Sequence, residues 1–87
     1  MPDGQAATRT LDTSGLACPL PVLKARKALL SMAPGETLAL TATDPLAAID
    51  IPHFCSEAGH RLIAGDNRGG VFSFLIERGA DAASGDP

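Results

Sequence analysis

Cys18-Pro19-Leu20-Pro21-Val22-Leu23-Lys24-Ala25-Arg26-Lys27-Ala28-Leu29-Leu30-Ser31-Met32 is the stretch that decides the fold. A residue before proline is steered away from helical dihedrals, so Cys18 stands outside the helix. Proline suits the first helical position, where its missing N–H would have no partner anyway. The reading is a helix over residues 19–32 with Cys18 near its N-cap. At about 100° per residue, Val22, Leu23, Ala25, Ala28, Leu29, Leu30 and Met32 share one broad face, with Lys24, Lys27 and Ser31 opposite. Arg26 falls inside the apolar arc. Ala33-Pro34-Gly35 supplies the breakers that end the helix.

Working outward, Arg9-Thr10-Leu11-Asp12 reads as a first strand, joined to the helix by the loop Ser14-Gly15-Leu16-Ala17. Residues 36–43 alternate, Leu38, Leu40 and Ala42 on one side and threonines with Ala39 on the other, as a strand does. Asp44-Pro45 opens a second helical segment by the same cap-then-proline logic. Pro52 interrupts it, so a turn over 45–50 is expected, then a helix over 51–58 with Asp50 as a fresh cap. Ile51, Phe54, Cys55 and Ala58 form its apolar face, and Gly59 stops it. Residues 60–66 and 71–77 read as strands around the turn Asn67-Arg68-Gly69-Gly70. The order β-α-β-α-β-β predicts an α/β (α+β) two-layer sandwich. Its start implies a parallel pair with a right-handed crossover, and its end an antiparallel hairpin. Two helices then lie on one face of a mixed four-stranded sheet. Residues 1–8 and 79–87 read as disordered tails around a single domain over 9–78.

The chain of 87 residues carries a net charge of −3, but three acids (Asp3, Asp81, Asp86) lie in the tails and all seven bases between Arg9 and Arg78. The folded part is therefore neutral and has no dense basic stripe, which argues against direct nucleic-acid binding. Lys24, Arg26 and Lys27 form the one positive patch, enough to dock on an acidic protein. No stretch is long and apolar enough for a membrane span, and no secretory signal is visible, so a cytoplasmic address is expected. Two cysteines make neither a disulfide scaffold nor a zinc site, and no metal or cofactor is expected.

A lone cysteine is ordinarily a small buried hydrophobe. That reading suits Cys55, on the apolar face of the second helix, as a structural residue. The loop position of Cys18 argues instead for an exposed, reactive sulfur. A helix N-terminus carries about half a positive charge, and thiolates there have pKa values of roughly 3.5–7.5 rather than about 8.5. Pro19 and Pro21 lack N–H groups, which leaves Leu20, Val22 and Leu23 as donors. Lys24 and Arg26 lie about 9 and 12 Å along the helix and add little. A hydrolase needs a base beside its thiol, and His53 and His60 are both distant, with solvated or structural roles. A thiol oxidoreductase wants a resolving cysteine where Pro21 stands. What remains is an activated sulfur that accepts and passes on an atom. Arg26 is expected to pair structurally with Asp12, Asp44 or Asp50.

The chain resembles the TusA (SirA-like) family of sulfur carriers. The resemblance rests on Leu11-Asp12 and Gly15-Leu16 ahead of Cys18-Pro19-Leu20-Pro21, then Arg26-Lys27, Pro34-Gly35-Glu36, Asp44-Pro45, Asp50-Ile51-Pro52, Phe54-Cys55 and Gly59-His60. It implies a two-layer sandwich and a carrier-type sulfurtransferase with a persulfide on the CPxP cysteine, here Cys18. It also implies a cysteine desulfurase or rhodanese-like donor and an acceptor relay protein. The destinations it implies are tRNA thiolation, molybdenum-cofactor synthesis or sulfur oxidation. Leu20 departs from the glutamate that well-known members carry. In this reading Gly15, Leu16, Pro19, Leu20 and Pro21 shape the site, and Lys24 and Lys27 form a docking rim. The rival readings are a non-catalytic regulatory or binding module, and a thiol redox protein using Cys18 and Cys55.

Overall fold

The first crossover sets the architecture. In a computed structural model describing residues 8–80, β1 (Thr8–Thr13) leads through α1 (Leu20–Leu30) to β2 (Thr37–Ala42), which lies parallel to it. From β2 the chain runs through α2 (Ala47–Ala58) to β3 (Arg61–Arg68) and returns as β4 (Val71–Glu77), inserted antiparallel between β2 and β3. The sheet order is β1-β2-β4-β3. Both crossovers step in the same direction across the sheet, so right-handed connections put both helices on one face.

That face is apolar because the strands alternate. Leu38, Leu40 and Ala42 of β2 and Phe74 and Ile76 of β4 are buried, and in register Leu38 lies opposite Ile76 and Leu40 opposite Phe74. Against them α1 buries Pro21, Ala25 and Leu29, and α2 buries Ala47, Ile51, Phe54 and Cys55. The opposite face carries Thr10, Thr37, Thr41 and Ser73, as a sheet wetted on one side should.

Several local expectations are corrected. The apolar arc of α1 is narrower than its composition implies, for Leu23 and Leu30 are both about half exposed, 49% each. Pro19 is the N-cap, Pro21 falls within the first turn, and the Cys18–Pro19 peptide is cis. The second helix starts at Ala47, with Pro52 inside it. Proline there removes one helical hydrogen bond, and burial of Ala47, Ile51, Phe54 and Cys55 offsets that loss. Asp50 is not a cap, since its own N–H donates to the Leu46 carbonyl at 2.8 Å. β3 runs on to Arg68, leaving Gly69 and Gly70, both at positive φ, as the two-residue hairpin turn. β1 takes in Thr8, whose hydroxyl lies 2.8 Å from that of Thr37. The remainder of the two expected tails, 1–7 and 81–87, lies outside the described residues.

Two residues close the far end of the sandwich. Arg78 is only 5% exposed; its Nε donates to the Leu29 carbonyl at 2.8 Å and its Nη1 to that of Gly79 at 2.8 Å. A cation thus satisfies the Leu29 carbonyl at the negative end of α1. Gly79 donates its N–H to His60 Nδ1 at 3.1 Å. Any Cβ at position 79 would overlap the Gly59 carbonyl oxygen, so glycine is required there.

Arg78→Ala leaves these carbonyls without their donor, and a urea midpoint should report a loss of about 2–4 kcal/mol. Burial, then the charges of Arg78 and Arg26, lowers the His60 pKa from 6.5. The unfolded chain therefore takes up the proton first. This contribution to stability is complete above about pH 6.5 and is lost as pH falls through the lowered folded-state value. His60→Asn, whose Oδ1 can accept from Gly79, should show a smaller fall in urea midpoint between about pH 7.5 and about pH 5.5.

Candidate functional site

The site lies beyond the carboxyl ends of the parallel pair β1 and β2, where two loops meet. The loop after β1 is pinned in four places. Ser14 N–H donates to Asp12 Oδ1 at 2.9 Å, and Leu16 N–H to the Thr13 carbonyl at 3.1 Å. Gly15, at φ +83°, donates its N–H to Thr43 Oγ1 at 2.8 Å, which ties this loop to the one after β2. Cys18 N–H donates to Asp44 Oδ2 at 2.7 Å. The other oxygen of Asp44 accepts from Leu46 N–H at 3.0 Å, so a single carboxylate opens the second helical segment and anchors Cys18.

The sulfur of Cys18 is exposed and donates to Asp50 Oδ2 at 2.6 Å. This overturns the expectation of a helix-stabilised thiolate. Leu20 N–H is taken by the Ala17 carbonyl at 2.9 Å and Leu23 N–H by that of Pro19 at 3.1 Å, so these donors are spent within the chain. The hydrogen bond to Asp50 comes first in raising the Cys18 pKa, followed by desolvation and the charges of Asp50 and Asp44. Hydrogen bonds from Leu46 and Cys18 hold the Asp44 carboxyl below the usual range. The sulfur is thus bonded to one carboxylate, Asp50, while a second, Asp44, holds the Cys18 backbone. The absence of an acid–base partner read from the histidines is likewise corrected, because Asp50 stands at hydrogen-bond distance. Its signal in the sequence was a first-turn acid on the next helix, 32 residues away from Cys18.

Of the residues expected to shape the site, Gly15, Leu16, Pro19 and Leu20 lie on the loop and first turn beside Cys18, whereas Pro21 is buried in the core. Leu46 and Ile49, 51% and 68% exposed, add apolar surface just ahead of Asp50 in the chain. Lys24 and Lys27 line a different feature, an open groove of about 310 Å³ with Arg9, Leu11, Ala28 and Ser31. Cys18 is not part of its lining. Arg26 makes no ion pair with Asp12, Asp44 or Asp50. Its guanidinium lies over the Phe54 ring at 5.1 Å, and Phe54 in turn stacks at a tilt on His60 at 5.5 Å. Asp12 is occupied by Ser14. Cys55 is buried, which pushes its thiol up to about 11.

Fold and site together define a small two-layer domain presenting one exposed thiol at the head of a helix. A family model described as Sulfurtransferase TusA matches residues 9–78, and the chain belongs to the TusA family. Membership places it among the sulfur-transfer proteins. The fold is similar to the crystal structure of a SirA-like protein from Desulfitobacterium hafniense, at a TM-score of 0.72 and 24% identity. The match covers 80% of this chain and 96% of that one. Among the described residues, no helix is long and apolar enough to cross a membrane.

Iodoacetamide on the folded protein should modify Cys18 alone, with Cys55 reacting only after denaturant is added. Peptide mapping by mass spectrometry checks this, since a buried thiol with a raised pKa offers almost no thiolate.

Proposed function

We propose that the protein accepts sulfane sulfur as a persulfide on Cys18 from a cysteine desulfurase or rhodanese-like donor, and passes it to an acceptor protein. The observation that carries this reading is the Cys18 sulfur: exposed at the head of α1 in the family's motif, with the only other cysteine buried. A redox couple would need Cys55 at the surface beside it. The sulfur is cargo, and no resident cofactor enters the scheme.

In the loading step the Cys18 thiolate forms a bond to the outer sulfur of the donor persulfide. The donor's S–S bond breaks and its electron pair leaves with the donor thiolate, which takes up a proton. Delivery repeats the exchange, an acceptor thiolate attacking the outer sulfur now on Cys18. Nothing is oxidised or reduced overall. Pro19, Leu16 and Leu20 give a partner an apolar collar. The groove of Lys24, Lys27 and Arg9 gives it a cationic handhold away from the sulfur, suited to an acidic segment. A reducing cytoplasm would keep both cysteines available as thiols.

Incubation with a cysteine desulfurase and cysteine, or with thiosulfate and a rhodanese, should add about 32 Da, the mass of one sulfur, as a persulfide. The gain should vanish with dithiothreitol and be absent in Cys18→Ala but present in Cys55→Ala. No gain with either donor would favour a non-catalytic binding module. Reversing both Lys24 and Lys27 to glutamate should slow loading from a protein donor several-fold and leave loading from polysulfide unchanged, as stopped time courses would report.

A further inference from the structure

Two carboxylates bear on Cys18, and only one of them touches its sulfur. Asp50 of α2 accepts from the sulfur itself, whereas Asp44, from the loop after β2, accepts from the Cys18 backbone N–H. No other charged side chain among the described residues bonds Cys18. Among the described residues neither carboxylate has an ion-pair partner. The seven bases are all described, and each is engaged or directed elsewhere. Arg9 donates to Ser31, Arg26 covers Phe54, and Arg78 caps α1. Arg61 pairs with Glu77 and Arg68 with Asp66, while Lys24 and Lys27 face the groove. Asp50 is also not spent on starting α2, since its N–H lies within the helical ladder and its Oδ2 is aimed at the sulfur.

Resting on the reading of Cys18 as the sulfur acceptor, we propose that Asp50 is a positioning residue with two effects. It holds the Cys18 thiol protonated and aimed in the free carrier, and it gives up the thiolate to a donor that brings a lysine or arginine side chain to its carboxylate. A thiolate 2.6 Å from an unpaired carboxylate is repelled, whereas the thiol is held by a charge-assisted hydrogen bond. A partner cation on Asp50 removes both the repulsion and the acceptor. The Cys18 proton then passes to solvent, and the leaving donor thiolate is reprotonated from it. Exposed Leu46 and Ile49 precede Asp50 in the chain and offer that partner apolar contact. The free carrier is thereby slow towards stray electrophiles and fast only where the charge matches.

The test needs no sulfur donor, so its failure is separate from failure of the carrier reading. In a Cys55→Ala background, alkylation of Cys18 by iodoacetamide at neutral pH should be roughly tenfold faster in Asp50→Asn, the scale of one hydrogen bond to a charged group. Asp50→Glu should stay near the parent rate. At low ionic strength, exchange with the dicationic disulfide cystamine should outpace exchange with the dianionic dithiodipropionate several-fold. That preference should shrink in Asp50→Asn and with added salt. Equal or slower alkylation in Asp50→Asn would overturn the proposal, as would a cystamine preference that the substitution leaves intact.

Discussion

The site depends on the carboxylate of Asp44. It accepts one hydrogen bond from Cys18 and another from Leu46, and so joins the head of α1 to the entry of α2 across the end of the sheet. With that bridge made, the first turn of α2 brings Asp50 to the sulfur. The bond from Gly15 to Thr43 runs beside it and holds the same two loops together. Chemistry and fold therefore share one set of contacts, and Cys18 is placed by the β1 and β2 connections rather than by α1 alone.

This placement changes how the cysteine should be viewed. A thiol at a helix N-terminus is usually treated as activated, yet here prolines remove two donors and chain carbonyls take those of Leu20 and Leu23. The field at the sulfur is set by two carboxylates. Cys55 is guarded in a different way, by burial in the core. One sulfur is thus withheld from solvent, and the other is exposed but kept as a thiol.

Much of the fold was legible in the sequence because it follows from local periodicity. Alternation in Leu38, Leu40 and Ala42, the spacing of Ile51, Phe54 and Cys55, and the Gly69-Gly70 turn mark their elements directly. The boundaries around Pro52 were not legible, since core burial outweighs the bond proline removes. Cys18 could be singled out from its loop and the two prolines that follow it. Its partners could not, because Asp44 and Asp50 come from 26 and 32 residues further along the chain. Local rules already gave both acids capping roles. The Arg78 latch, 49 residues from Leu29, and the Arg26 stack on Phe54 were hidden for the same reason. Long side chains choose among partners that only the tertiary fold assembles.

The most direct measurement is an ultraviolet titration of thiolate absorbance in Cys55→Ala, where Cys18 is the sole thiol. An apparent pKa above that of an unperturbed cysteine is the result expected of a sulfur bonded to Asp50. A value below it would contradict this account and return control of the sulfur to the helix end.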